Sequence, residues 1–291
     1  MRHLIDLYDS SIMQRALIEA TLVGALCGAV GIHVLLRRLP FFTITVAHAT
    51  FPGVVLAVIL GASVLSGAIV FALLLVLAIW ATGVEERLAT STVVGVALAG
   101  SFGIGAMLQS TQNGFTKDLA SILVGQIIAV QRSDLIATAI IGLLVLATMV
   151  STHKELVLSA FDRTEAQAQG HSRTIDLLAL LIVAAAVVTT VPAVGTILSV
   201  ALLTIPAMTA RLVTQRVETA MITASGIGAL AGVVGLTISA EWRVAAGAAI
   251  TLTAAGLFLI VLLATTLVRR TPSTEQAVVF ADTGRPPELA L

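Results

Sequence analysis

An all-α, polytopic membrane bundle of eight to nine crossings, with some segments broken or re-entrant, is the fold class that this chain predicts. Apolar runs of 17–25 residues recur from Gln14 to Val268, and a bilayer core of about 30 Å takes about 20 apolar residues per helical crossing. Hydrophobic residues make up 58% of the 291 and charged residues only 11%, so little is left from which to build a water-facing domain. The charges collect in the gaps between the runs.

Nine segments follow in order: about 14–36, 46–62, 64–83, 91–110, 134–151, 174–191, 194–211, 219–239 and 244–268. Leu119–Val130 is too short to span and is interrupted by Gly125 and Gln126, which suits a re-entrant or interfacial helix. The spans define a permease domain over 1–270, and the polar, proline-containing stretch 271–291 reads as a disordered cytoplasmic tail. With the N-terminus outside, only Arg2, Arg15, Lys117, Arg132 and Arg243 stay on the outer side, leaving eleven of the sixteen Lys and Arg within. Excess basic charge belongs on the cytoplasmic side, so the expected placement is N-outside and C-inside in a bacterial cytoplasmic membrane. The N-terminus is polar and acidic with no small-residue cleavage site after it, so no cleaved leader is expected. Zero net charge says little about partners, and nucleic acid is not expected among them. Cys27 stands alone, which excludes an intrachain disulfide and any multi-cysteine metal site.

Gly24, Gly28 and Gly31, then Gly95, Ala99 and Gly103, then Gly228, Gly232 and Gly235 fall at spacings that let helix backbones approach closely, within one bundle or between subunits. Pro52 followed by Gly53, Pro192, and Pro206 lie in or beside spans. Each proline removes a backbone donor, so helix breaks are expected there, and broken helices are where transport sites are often built.

The longest inner loop carries its own helix signal over about 158–170. Asp162 is placed as an N-cap, Glu165 sits three residues on as a capping-box partner, and Gly170 is placed to end the helix. Such an element is either an ordinary surface helix or a docking point for a cytoplasmic partner.

The chain has no G-x-x-x-x-G-K-[ST] phosphate loop and no H-E-x-x-H helix, so no catalytic residue and no ATP site is assigned. Ser101 has no histidine at an evident matching depth, which disfavours an intramembrane hydrolase. Glu19 alone among the acidic residues falls well inside a predicted span. It reads as an interfacial carboxylate facing Arg15, or as part of an ion pathway. A self-contained ion-coupled secondary carrier, the alternative class, would need more such groups. His48 enters an apolar run four residues before Pro52-Gly53. A lone membrane histidine is more often hydrogen-bonded to a carbonyl than bound to a metal.

These residues resemble the integral-membrane permease of ABC-type importers for zinc, manganese or iron. His48-Ala49-Thr50-Phe51-Pro52-Gly53 falls into that family's D-A-x-x-H-A-x-x-P-G stretch, and Leu123-Val124-Gly125 is similar to its Leu-Phe-Gly segment. Ser133-Asp134-Leu135 follows, and Phe161 through Ala166 to Gly170 look like its coupling helix. Ala193–Leu198 and Ile205–Arg211 resemble its late core helices, so the likeness runs over roughly residues 12–268. It implies a permease, homodimeric or paired, that takes a divalent metal as transported substrate from an extracytoplasmic metal-binding lipoprotein. No covalently bound cofactor is implied. A separate cytoplasmic ATPase would grip Asp162, Glu165, Ala166 and Gly170, and His48 would be the metal ligand. Where the family has aspartate four residues before that histidine, this chain has Ile44, so the carboxylate half of an i, i+4 pair is missing. Either Glu19 or a ligand from the second copy compensates, or the pathway binds metal only transiently or accepts a softer cargo. Its loss should weaken manganese more than zinc, because manganese favours oxygen ligands.

Overall fold

The computed structural model describes residues 10–82, 90–110, 127, 130–170 and 172–270. All regular structure among them is helical: α1 Ser11–Leu36, α2 Pro40–Ile59, α3 Val64–Thr82, α4 Thr90–Ser110, α5 Arg132–Ser151, α6 His153–Phe161, α7 Arg163–Ala168, α8 Ser172–Val194, α9 Thr196–Val213, α10 Val217–Trp242 and α11 Ala246–Arg270. Eight of these helices are long and apolar enough to cross a membrane, and α4 adds a shorter apolar stretch at Gly95–Ser110. The nine expected segments are thus all helices. Leu119–Val130 lies outside the described residues except for Ile127 and Val130, both buried, and the 271–291 tail lies outside them altogether.

Boundaries moved where local chemistry outweighed hydropathy. The second span begins at Pro40, six residues earlier than its apolar run, because a proline is suited to the first helical position. Its threonines are also satisfied inside the helix: Thr43 Oγ1 donates to the Pro40 carbonyl at 2.6 Å and Thr45 Oγ1 to that of Phe41 at 3.1 Å. The α1–α2 connection is correspondingly tight, with Leu39 N donating to Val34 O at 2.8 Å and Arg38 in the left-handed region at φ 57°. Between α8 and α9 a single residue, Gly195 at φ 84°, makes the turn.

Helices α1 and α2 are the most deeply buried of the apolar helices, whereas α11 lies on the outside of the bundle, only 17% buried. The small residues do what close packing requires. A Cβ on Gly24 would collide with the Gly228 carbonyl, one on Gly28 with that of Ala224, and one on Gly232 with that of Ala20. Each step of four along α1 is matched by a step of four back along α10, so the two helices cross antiparallel with backbones in contact. In α4, Cβ atoms on Gly95, Gly100 and Gly103 would meet open space, whereas one on Gly105 would strike the Phe51 ring.

Cross-bundle contacts fix which helix ends share a face. Arg37, at the end of α1, pairs with Asp176 near the start of α8 at 2.8 Å. Trp80, near the end of α3, donates from Nε1 to the Arg173 carbonyl at 3.1 Å. His153, just past α5, lies 3.7 Å from Glu218 at the start of α10. That face carries Arg37, Arg38, Lys154, Arg173 and Arg216, the basic surplus expected of the cytoplasmic side.

Candidate functional site

The middle of α2 carries the residues singled out as a metal path. His48 lies eight residues from Pro40, roughly 12 Å along the helix and close to mid-bilayer by the rise per residue. It is half-buried, with its ring edge-on to Phe102 of α4 at 6.3 Å. Phe51, one turn outward, stacks on the same Phe102 at 5.8 Å. The expected breaks at Pro52-Gly53, Pro192 and Pro206 are all absent: α2, α8 and α9 run through these prolines. A continuous helix still loses a donor at each proline. The carbonyl that Pro52 leaves without its i+4 partner is that of His48. Gly53 serves packing, since a Cβ there would strike the Gly67 carbonyl of α3.

Because α2 is helical through 44 and 48, Ile44 does occupy the face one turn inward of His48, where it is half-buried and brings no carboxylate. Among the described residues no three His, Cys, Asp or Glu side chains gather into a group able to hold a metal ion.

Glu19 does not face Arg15. Its carboxylate is fully buried and accepts a hydrogen bond from Thr138 Oγ1 of α5 at 2.8 Å, while Arg15 reaches Ser11 Oγ at 3.3 Å on an exposed face. The reason is helical phase: position 19 shares α1's packed side with Ala16, Ala20 and Val23, whereas Arg15 turns to the outside. Ser101 donates to the Ala97 carbonyl at 2.7 Å, the back-bond of a helical serine.

On the inner face, Asp162 separates α6 from α7 and caps the second of them, its Oδ1 accepting from Glu165 N at 3.0 Å. Glu165 Oε1 accepts from Gln169 Nε2 at 2.9 Å, Ala166 is buried, and Gly170 has φ 74°. The Asp162 cap is as the loop sequence predicted, but Glu165 does not close a capping box, since Asp162 N donates to Leu158 O and Glu165 Oε1 is taken by Gln169. The expected 158–170 helix is divided at Asp162 between α6, which was not foreseen, and α7. Also unforeseen is the polar joint around Arg37, which joins Asp176 to Ser159 and the Leu156 carbonyl of α6. Beside it lie His33, with both ring nitrogens buried and unpartnered, and His153, 6.4 Å from it edge-on. In the sequence these residues read only as topology charges and helix ends. The available signal was Asp176 two residues inside a span, a position that requires a cation nearby.

A bundle of apolar helices with a mid-membrane imidazole and a capped helix on its basic face has the architecture of a membrane permease. The sequence matches the ABC 3 transport family over residues 9–265, and the chain belongs to that family. It is 35% identical over 254 residues to the manganese transport system membrane protein MntC of Halalkalibacterium halodurans, covering 87% of each chain. It is 38% identical over 255 residues to the manganese import system permease protein ScaB of Streptococcus gordonii, covering 87% of this chain and 91% of the relative. Among solved structures it is similar to PsaBC from Streptococcus pneumoniae in complex with Fab, with a TM-score of 0.80 and 36% identity over 89% of this chain and 94% of that one.

Proposed function

We propose that this chain is the permease of an ATP-driven importer that carries manganese into the cell, with His48 as the protein ligand the ion meets in transit. The observation that carries the reading is the pairing of His48 with Pro52, four residues on within one helix, in a chain whose relatives are named for manganese transport. The imidazole offers nitrogen, and the His48 carbonyl, denied its helical partner, offers the oxygen that Ile44 does not supply. One side chain and one carbonyl make a weak site, which suits an ion that must leave again. A second copy of the permease completes the conduit and contributes further ligands. Glu19 belongs to the docking of α1 on α5, by its bond to Thr138, rather than to the ion path.

Energy comes from a separate cytoplasmic ATPase that grips the α6–α7 segment at Asp162, Glu165, Ala166 and Gly170, three of which are exposed. Metal arrives from an extracytoplasmic binding lipoprotein at the opposite face. The test is manganese uptake by permease reconstituted in vesicles, with and without the ATPase and ATP. Uptake is expected only with both, and is expected to fall at least tenfold in His48→Ala, on the basis that one lost metal ligand costs more than the 1.4 kcal/mol of a factor of ten. Uptake driven by an ion gradient without ATP would make the chain a secondary carrier. Undiminished uptake in His48→Ala would remove that residue from the path.

A further inference from the structure

We infer that Arg37 is the positioning residue through which movement of the α6–α7 segment reaches the base of α2, and so His48. This rests on the reading of α6–α7 as the ATPase contact. The side chain of Arg37 is 7% exposed at the end of α1, and its guanidinium has a separate task on each arm. One nitrogen donates to Asp176 Oδ1 of α8 at 2.8 Å. The other donates to two groups of α6, the Leu156 carbonyl at 3.2 Å and the Ser159 hydroxyl. A planar fork of charge-assisted bonds has little slack, so α6 cannot shift without dragging Arg37 or breaking the joint.

What Arg37 is attached to decides where the displacement goes. Its own N–H is bonded to the His33 carbonyl, that of Arg38 to Leu35 O at 3.1 Å, and that of Leu39 to Val34 O, which closes a compact turn. Arg38 sits in that turn at φ 57°, a conformation unfavourable for a side-chain-bearing residue and held by the surrounding bonds. Pro40 then opens α2 at once. Only the hydrogen-bonded turn Arg37–Leu39 separates the residue that carries the guanidinium from the helix that carries His48. The joint is buried where α6, the end of α1 and the turn into α2 meet. An isolated ion pair would need only Asp176; the second arm, directed at α6, is what an ion pair leaves unexplained.

Lysine separates the two tasks, because a single ammonium can still pair with Asp176 but cannot fork to α6 as well. Ser159→Ala removes one α6 acceptor and leaves the ion pair intact. Both variants are expected to fold and to assemble with the ATPase. In vesicles holding the whole complex, manganese moved per ATP hydrolysed should fall about tenfold in Arg37→Lys and about threefold in Ser159→Ala, in keeping with loss of a charged and a shared hydrogen bond, while KM for manganese stays unchanged. A second readout does not depend on the cargo. A fluorophore on Phe41→Cys, an exposed position at the base of α2, reports ATP binding to the complex; the native Cys27 is fully buried. The signal should change in an otherwise wild-type chain and stay still once Arg37→Lys is added. A wild-type transport ratio together with a wild-type label response in Arg37→Lys overturns the inference. An ATP-dependent label response without manganese uptake in the wild type would instead count against the cargo reading and leave the joint standing.

Discussion

Replacing Pro52 by alanine should make the protein more stable and a worse transporter, two changes that ordinarily move together. Proline in a helix interior is disfavoured by roughly 3 kcal/mol relative to alanine, through the lost N–H bond and a clash with the i−4 carbonyl. Pro52 is inside α2 and buried, so truncating its ring also removes packing, at a cost of roughly 1–2 kcal/mol for the missing methylenes. The difference is a net gain of about 1 kcal/mol, or a rise of roughly 2–4 °C in Tm for a chain of this size. The restored N–H of residue 52 points at the His48 carbonyl and takes the lone pair that a passing ion would use. Uptake should therefore fall about tenfold, the factor that corresponds to 1.4 kcal/mol of lost coordination. The assay pairs thermal unfolding of purified permease, at one scan rate because unfolding of such proteins is often irreversible, with ATP-driven manganese uptake in vesicles. A stabilised Pro52→Ala that transports normally would show that the carbonyl has no part in the path. A destabilised one with proportionate loss of uptake would show that the proline is there for packing.

Restoring the carboxylate at the other end of the same helix turn should act in the opposite sense. Ile44→Asp places an acid one turn from His48 on one face of α2, and manganese binding to the permease, followed by competition with a metal-sensitive dye, should tighten about tenfold; no change would separate position 44 from the site. Gly28→Ala forces a Cβ into the Ala224 carbonyl across the α1–α10 contact and should cost roughly 1–3 kcal/mol, whereas Gly100→Ala, opening onto empty space, should leave Tm unchanged. Equal Tm values for the two would refute the antiparallel backbone contact. Gly170→Val puts a β-branched residue at φ 74°, a strain of roughly 1–2 kcal/mol or more. ATP hydrolysis by the assembled complex should persist while manganese moved per ATP drops, and retained coupling would demote α7 to a surface helix. Glu19→Gln keeps an acceptor for Thr138 and should leave uptake intact, whereas a large loss would return that carboxylate to the ion path.

The helices were legible because lipid forces each crossing to satisfy its backbone internally, which leaves long apolar runs as the record of each span. The loop helix was legible for a different reason. Its cap is a local matter of the Asp162 carboxylate on the Glu165 N–H, with Gly170 just past its end, and local chemistry needs no knowledge of the rest of the chain. Glu19 illustrates what stays hidden. Its nearest charged neighbour in sequence is Arg15, but its partner, Thr138, is 119 residues away on another helix, and only packing phase decides between them. The start of α2 was missed because hydropathy discounts Thr43 and Thr45, although both hydroxyls are satisfied by their own helix. The α1–α10 register was half-written: the glycines announced a close approach without naming the partner face.

The same reasoning explains why the region of greatest interest is spread over two depths. On the proposed reading the middle of α2 passes an ion onward, and a site of that kind is expected to be weak rather than a dense cluster of ligands. The machinery that moves the ion must instead be stiff, because strain is transmitted only through contacts that cannot be relaxed by rotating a side chain. Stiffness is concentrated at the inner face: a forked guanidinium, a left-handed turn at Arg38, a proline at the first residue of α2 and a capped helix that ends at a left-handed glycine. A buried polar joint is costly unless its charges are paired, and the two terminal nitrogens of Arg37 reach α8 and α6 while its Nε is left without a partner and its backbone holds the turn into α2. Loosening that joint is therefore expected to leave manganese affinity alone and to waste ATP, whereas altering His48 or Pro52 is expected to change what the ion meets without altering how the ATPase pulls.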